Sequence, residues 1–270
     1  VSGSPSARRR YLDLTISQMS SEYLRALSRY TRVLEQRNSL LKRLQRDRLA
    51  PTASAVGEQL AFWDEELAAF GATVVAHRLV MLERLTELVR DEFSRLTGGQ
   101  RLDLTYLPSL EIGRESTSGP REERFEWARA VAHRAFMRAF AERRGEELRR
   151  GVSVVGPHRD DLAFLAEGVD LGSYGSRGQQ RLAVLALKLA ETRLMTERAG
   201  EPPVLLLDDV LSELDAEHRM LLEAAATNVG AQLLVTGVDA GGWTGSVLER
   251  LPGAQLVDGQ VGLEGELPPG

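Results

Sequence analysis

The sequence predicts an α/β fold preceded by an antiparallel helical arm. Helical spacing of apolar residues dominates the first hundred positions, whereas short apolar strands separated by glycines and helices follow from Val152 onward. A length of 270 residues with 43% hydrophobic and 27% charged side chains is ordinary for a globular protein. No apolar run approaches the roughly 20 residues that a membrane-spanning helix needs. We therefore expect a helical arm at 1–100 and an α/β body at 101–263.

Two long helices account for the arm. Each shows apolar side chains on an alternating 4-3 spacing, and Arg37 interrupts the first of these seams. Pro51 disfavours helix in the residue before it, so the chain is expected to turn between Leu49 and Ser54. The seams consist of Tyr23, Leu27, Tyr30, Leu34, Leu41 and Leu44 in the first helix, and of Leu60, Trp63, Leu67, Phe70, Val74, His77, Met81 and Leu88 in the second.

The body begins with a strand and a charged helix. Arg101 to Leu107 alternates polar and apolar residues as a half-buried strand does, and Glu122 to Arg150 has the apolar spacing of a helix. Gly and Pro dominate 264–270, which predicts a loose tail. Further strands are predicted at 152–155, 162–165, 204–207, 231–235 and 254–257.

Charge is distributed unevenly along the chain. The net charge is -5, yet residues 1–50 contain 11 Lys or Arg against 4 Asp or Glu. A basic segment on an acidic body indicates a local contact with a polyanion such as DNA, although a solvated helix face explains any single residue equally well. The absence of cysteine excludes disulfides and thiolate metal sites and fits a cytoplasmic location. The candidate DNA-binding residues are Arg8, Arg9, Arg10, Lys42, Arg43 and Arg46.

Two adjacent carboxylates follow a wholly apolar strand. Asp208 and Asp209 come directly after Leu205-Leu206-Leu207, so they are expected at the C-terminal edge of a buried parallel sheet, where α/β folds bind ligands. The first carboxylate can hold Mg²⁺ and the second can orient a water molecule. A helix N-cap pair after a core strand is the structural alternative.

A second candidate site precedes the apolar helix that begins near Leu182. Ser176-Arg177-Gly178-Gln179 places a hydroxyl, backbone N–H groups and the positive end of a helix dipole where an anion can bind. A glycine-permitted turn that caps a helix is the alternative explanation. The phosphate-binding loop G-x-x-x-x-G-K-[ST] occurs nowhere in the 270 residues.

Together these segments resemble a known family. Ser-x-Gly-Gln standing 32 residues before Asp208 resembles the signature and Walker B motifs of ABC-type ATPases. The segments Gly156-Pro157-His158-Arg159-Asp160-Asp161, Ser4 to Asp13 and Arg37 to Lys42 narrow the resemblance to the RecF family of bacterial DNA-repair ATPases. The resemblance covers nearly the whole chain in the right order.

The resemblance implies the C-terminal part of an ABC-type P-loop NTPase head with an antiparallel helical arm. It also implies ATP and Mg²⁺ as cofactors, a homodimer when ATP is bound, single-stranded or gapped duplex DNA as ligand, a role in the SOS response, and RecR and RecO as partners in loading RecA. Among site residues it implies Asp208 for Mg²⁺, Asp209 for the attacking water, Ser176, Arg177, Gly178 and Gln179 for the nucleotide of the other subunit, Ser212 and Asp215 for the D-loop, and Thr236 for the switch position.

Departures from the family pattern leave two functions open. The N-terminal lobe that supplies the phosphate loop in the family is expected to be missing, and Thr236 stands where many ABC proteins have histidine. One hypothesis is a RecF-like repair protein with weak DNA-dependent ATPase activity when that lobe is supplied. The alternative is a truncated, non-hydrolysing module that interacts with DNA or RecR.

Overall fold

The protein is described by a computed structural model that covers residues 3–47, 54–112, 120–208, 232–236, 254–257 and 260–263. The chain divides into two compact units, Val1–Arg198 and Ala199–Gly270. The predicted turn at 49–54 and the predicted tail at 264–270 lie almost wholly or wholly outside the described residues.

The described part of the first hundred residues contains three helices rather than the two that were predicted. They are α1 (Pro5–Met19), α2 (Ser21–Arg46) and α3 (Ser54–Thr97). Ser20 separates α1 from α2: its backbone is extended and its hydroxyl accepts a hydrogen bond from the Tyr23 N–H. Serine is a favoured N-cap residue because its oxygen satisfies one of the free N–H groups of the first turn. The seam that begins at Tyr23 lies wholly within α2, so the periodicity predicts α2, whereas the separate helix α1 was not predicted.

The main core lies where α2 and α3 pack against α4 (Arg121–Arg150). Gly71 of α3 allows a close approach to α4, because a Cβ there would collide with the Phe136 ring. Close packing of this kind makes added volume costly. The core side chains include Tyr30, Val33, Leu67, Ala68, Ala72, Val75, Ala132, Ala135, Phe136 and Phe140.

A small antiparallel sheet follows the arm. Its strands are β1 (Leu102–Leu107), β2 (Asp161–Ala166) and β3 (Val169–Asp170), with β2 in the centre. Two helices complete the unit, α5 (Leu171–Tyr174) and α6 (Arg177–Ala199). The strands predicted at 101–107 and 162–165 are thus present, each within a residue of its predicted bounds.

The strand predicted at 152–155 is wrong. The backbone N–H of Ser153 donates to the Asn38 side chain, and that of Val154 donates to the Glu147 carboxylate. These side-chain partners replace the strand neighbour that an extended apolar segment otherwise needs to satisfy its N–H groups. Residues 152–155 therefore form a loop that is hydrogen-bonded to side chains of helices α2 and α4.

The described residues of the second unit include two pairs of strands. Strands β4 (Leu205–Asp208) and β5 (Leu233–Thr236) are parallel, and the register pairs Asp208 with Thr236. Strands β6 (Ala254–Val257) and β7 (Gln260–Leu263) are antiparallel. The predictions at 204–207 and 231–235 are displaced by one or two residues, and that at 254–257 agrees.

No helix in the described ranges combines the length and apolar character that crossing a lipid bilayer requires.

Candidate functional site

The C-terminal ends of β4 and β5 bring two predicted site residues together. The Thr236 hydroxyl donates a hydrogen bond to Asp208 Oδ1 at 2.5 Å. Parallel pairing places both residues at the same edge of the sheet, and both are exposed. A carboxylate and a hydroxyl at this edge form a polar oxygen pair of the kind that binds Mg²⁺ or a water molecule. Asp209, Ser212 and Asp215 lie outside the described residues.

The signature segment forms a capping box at the start of α6. Ser176 Oγ accepts a hydrogen bond from the Gln179 N–H at 3.2 Å, and Gln179 Oε1 accepts one from the Ser176 N–H at 3.0 Å. This reciprocal arrangement satisfies two N–H groups of the first helical turn. Ser176, Arg177, Gly178 and Gln179 are all exposed. Ser176 and Gln179 therefore cap helix α6, as the alternative explanation predicts, and all four residues also face solvent.

The turn before α6 is held rigidly. A Cβ on Gly175 would lie 2.7 Å from the Leu171 carbonyl oxygen, so a larger residue does not fit without displacement. The Gln180 side chain donates to the carbonyls of Leu171, at 2.8 Å, and Gly175, at 3.3 Å. Ser176 therefore follows a turn whose conformation is fixed by packing and hydrogen bonds. The neighbouring Tyr174 side chain, by contrast, is 81% exposed.

Helix α6 is fixed to α1 through one buried carboxylate. Tyr11 and Thr15 of α1 donate to the two Glu191 oxygens at 3.0 and 2.8 Å, and the Lys188 ammonium lies 2.8 Å from the same carboxylate. Burial, followed by the charge of Glu191, raises the pKa of the Tyr11 hydroxyl well above its usual value. Three donors on one carboxylate fix the position of the helix that begins at the signature segment.

The segment Gly156–Asp161 lies beside a polar network inside the first unit. Tyr30 Oη contacts His158 Nδ1 at 2.6 Å, and Tyr106 donates to the Asp160 carboxylate. Arg78, which is 1% exposed, donates to the Pro157 carbonyl at 2.9 Å and to Asp13 at 2.6 Å. These contacts join α1, α2, α3 and β1 around the segment.

A second buried network surrounds Arg37, which is fully buried. Its guanidinium pairs with Asp64 at 2.8 Å and with Glu147 at 2.6 and 3.0 Å, and donates to Ser153 Oγ at 2.7 Å. The guanidinium of Arg37 is engaged inside the protein, so this arginine of the basic segment 1–50 is not available to contact phosphate. The only signal in the sequence was a charge within an apolar seam.

The candidate DNA-binding residues differ in their surroundings. Arg8 forms a two-pronged ion pair with Asp161, and Arg9 donates to the Asp160 carbonyl. Arg43 contacts the Gln59 side chain at 3.2 Å. Arg10, Lys42 and Arg46 are exposed. Their role in DNA binding stays a prediction.

Comparison with known proteins gives a consistent result. The DNA replication and repair protein RecF of Chloroflexus aurantiacus is 43% identical over 262 residues, which are 97% of this chain and 64% of the relative. The RecF of Thermomicrobium roseum is 44% identical over 263 residues, 97% of this chain and 65% of the relative. The chain is homologous to RecF. No protein-family model matches it.

Solved RecF structures share the fold. A structure of the recombination mediator protein RecF-ATP in the RecFOR pathway superposes with a TM-score of 0.74 at 30% identity, covering 97% of this chain and 63% of that one. A second, RecF-ATPrS, gives a TM-score of 0.72 with coverage of 89% and 60%. The prediction of an ABC-type ATPase head portion with a helical arm is thereby confirmed. The chain spans slightly less than two thirds of the length of the RecF relatives it matches.

Proposed function

We propose that this chain is part of an ATP-dependent DNA replication and repair protein of the RecF type. The observation that carries the proposal is the Thr236–Asp208 hydrogen bond at the shared edge of two parallel strands. Ligands of α/β folds bind at this edge, and the similar proteins carry RecF names and include an ATP complex. The protein is proposed to act in the cytoplasm.

Each site residue receives a role in this proposal. Asp208 would hold Mg²⁺, Thr236 would contact the terminal phosphate or its water, and Asp209 would polarise that water. The ion would supply positive charge to neutralise the phosphates. The capping box of Ser176 and Gln179 would present the start of α6, with Arg177 and Gly178, to the nucleotide of a second copy, and Ser212 and Asp215 would cross the dimer interface.

The test joins this chain to the part of the Thermomicrobium roseum RecF that it does not match. Dimerisation with and without ATP is measured by analytical ultracentrifugation. Ser176→Asp keeps an oxygen acceptor for the Gln179 N–H but places a negative charge towards the phosphates. Ser176→Thr keeps both the acceptor and neutrality. We expect ATP-dependent dimers from the unmodified protein and from Ser176→Thr, and none from Ser176→Asp.

Equal dimerisation of both Ser176 variants would contradict a phosphate contact at this turn. Absence of ATP-dependent dimers in the unmodified protein would contradict the proposed function as a whole. Circular dichroism and thermal unfolding of the two variants show whether the cap is intact in each.

We propose as a second function the non-hydrolysing module that the sequence analysis leaves open. In that case the chain would act as a non-hydrolysing module that contacts DNA, RecR or RecO, and would assist RecA loading without turning over ATP itself. Tight ATP binding by the 270-residue chain alone, measured by calorimetry, would contradict this alternative.

A further inference from the structure

A tight turn at Gly156–Arg159 displays an arginine that none of the proposed roles uses. The Arg159 N–H donates to the Gly156 carbonyl at 2.8 Å and closes the turn. Gly156 has a φ of 124°, and a Cβ there would collide with the Tyr30 hydroxyl. Only glycine adopts this conformation readily, so the turn geometry is strongly fixed. The Arg159 side chain is exposed at the end of this turn.

The two carboxylates that follow Arg159 are both occupied within the protein. Asp160 is 1% exposed and accepts hydrogen bonds from Tyr106 and from the Ser109 N–H. Asp161 accepts two hydrogen bonds from Arg8, at 2.8 and 2.6 Å, and this pairing holds the pKa of Asp161 below its usual value. Neither carboxylate is available to neutralise Arg159, although both are close in sequence.

Arg9 is brought to the same turn from the other end of the unit's sequence. Its guanidinium donates to the Asp160 carbonyl, one residue beyond Arg159, at 2.7 Å. Within the part of the chain that the structure describes, no carboxylate lies within 4.0 Å of the Arg9, Arg10 or Arg159 guanidinium, whereas neighbouring Arg8 is ion-paired. The turn thus presents positive charge that no described carboxylate pairs with directly.

The state of His158 is consistent with this charge. Burial is the main cause that lowers the pKa of His158 to about 4, and the positive charges of Arg159 and Arg9 act in the same direction. The neutral imidazole, which contacts the Tyr30 hydroxyl, adds no charge of its own near pH 7. The positive charge at the turn therefore comes from the arginines.

We propose that Arg9 and Arg159 together form a contact site for the phosphate backbone of DNA, with Arg8 acting as the clamp that positions the turn. The proposal rests on the proposed function, which supplies DNA as the partner. Backbone phosphates are bound by arginine side chains on a fixed support, and such contacts carry no sequence preference. Two adjacent arginines of α1 then have distinct roles: Arg8 pairs internally, while Arg9 joins Arg159.

The experiment measures the affinity of the protein for a fluorescent gapped duplex between 50 and 250 mM salt. Removing one phosphate-binding side chain reduces the slope of log K against log salt by about 1. Arg9→Gln and Arg159→Gln are each expected to reduce the slope by about that amount, independently of DNA sequence. Arg159→Lys retains the charge and is expected to keep the slope. Arg134→Gln removes an exposed arginine from α4 and serves as the matched control.

Three outcomes would overturn the proposal in different ways. An unchanged slope in both glutamine variants, with DNA binding retained, would place the phosphate-binding site elsewhere and leave the proposed function standing. A loss of ATP affinity in Arg159→Gln without a change in DNA affinity would assign the site to nucleotide instead. Absence of salt-dependent DNA binding in the unmodified protein would overturn both this site and the proposed function.

Discussion

The Arg37 network and the signature turn show two opposite uses of polar side chains in the same compact unit. Around Arg37 the partners are internal: Asp64, Glu147 and Ser153 come from α3, α4 and the loop after it, and all are buried. At the signature turn, Ser176 and Gln179 bond to each other's backbone and side chain, and the segment is exposed.

This difference indicates that the Arg37 network stabilises the fold, whereas the signature turn is available to bind a ligand. A buried charge is expensive to leave unpaired, so the Arg37 network depends on all of its members and joins the helices that carry them. A capping box needs only local atoms, so its remaining N–H groups stay directed at solvent and can meet an anion. Mutations in the first region should therefore mainly change stability, and mutations in the second should change binding with a smaller effect on stability.

The largest expected effect on stability comes from breaking the Arg37 network. Arg37→Met removes the cation and leaves the Asp64 and Glu147 carboxylates buried with fewer partners. Truncating one partner of a buried ion pair typically costs about 3–5 kcal/mol, and we expect a loss of that size. Urea unfolding followed by circular dichroism measures it.

The control is Arg32→Met, on an exposed position of the same helix. A surface substitution of this kind is expected to stay within about 0.5 kcal/mol. If Arg37→Met is no more destabilising than Arg32→Met, the network does not hold these helices together.

The same comparison explains what the sequence could and could not predict. The signature segment and the strand ending at Asp208 were predictable because cap residues, glycines and apolar runs act over a few neighbouring positions. The Arg37 network could not be predicted, because Arg37 pairs with Glu147, which is 110 residues away in the sequence. The strand predicted at 152–155 was wrong for a related reason, because the distant side chains of Asn38 and Glu147 accept hydrogen bonds from its backbone. Asp208 and Thr236 are an intermediate case. The sequence predicts that each residue ends a strand, but their hydrogen bond depends on the pairing of the two strands, which the sequence does not show.

A pH-dependent loss of stability is the next largest expected effect and concerns the network beside the exposed turn. Burial lowers the pKa of His158 to about 4 in the folded protein, against about 6.5 in an unfolded chain. The unfolded state then binds more protons between these values, so this contribution to stability is present above pH 6.5 and is lost as the pH falls towards 4. Between pH 7 and 5 the loss is about 2 kcal/mol.

Urea unfolding at pH 7 and pH 5 measures this loss, with His158→Gln as the comparison. The variant lacks the titrating ring, so its stability should fall by about 2 kcal/mol less over the same interval. Identical pH dependence in the two proteins would show that His158 titrates normally in the folded state.

The smallest expected change in stability comes from two serines that have the same local role but different surroundings. Ser20 caps α2 and Ser176 caps α6, each accepting a hydrogen bond at 3.2 Å from an N–H three residues on. Replacing a capping serine by alanine costs about 1 kcal/mol, so Ser20→Ala and Ser176→Ala should be destabilised alike. ATP-dependent dimerisation of the protein joined to its RecF complement should be weakened only by Ser176→Ala, because only the second serine belongs to the exposed turn. Equal effects on dimerisation would mean that both serines act through stability alone, and the signature turn would then be a helix cap and nothing more.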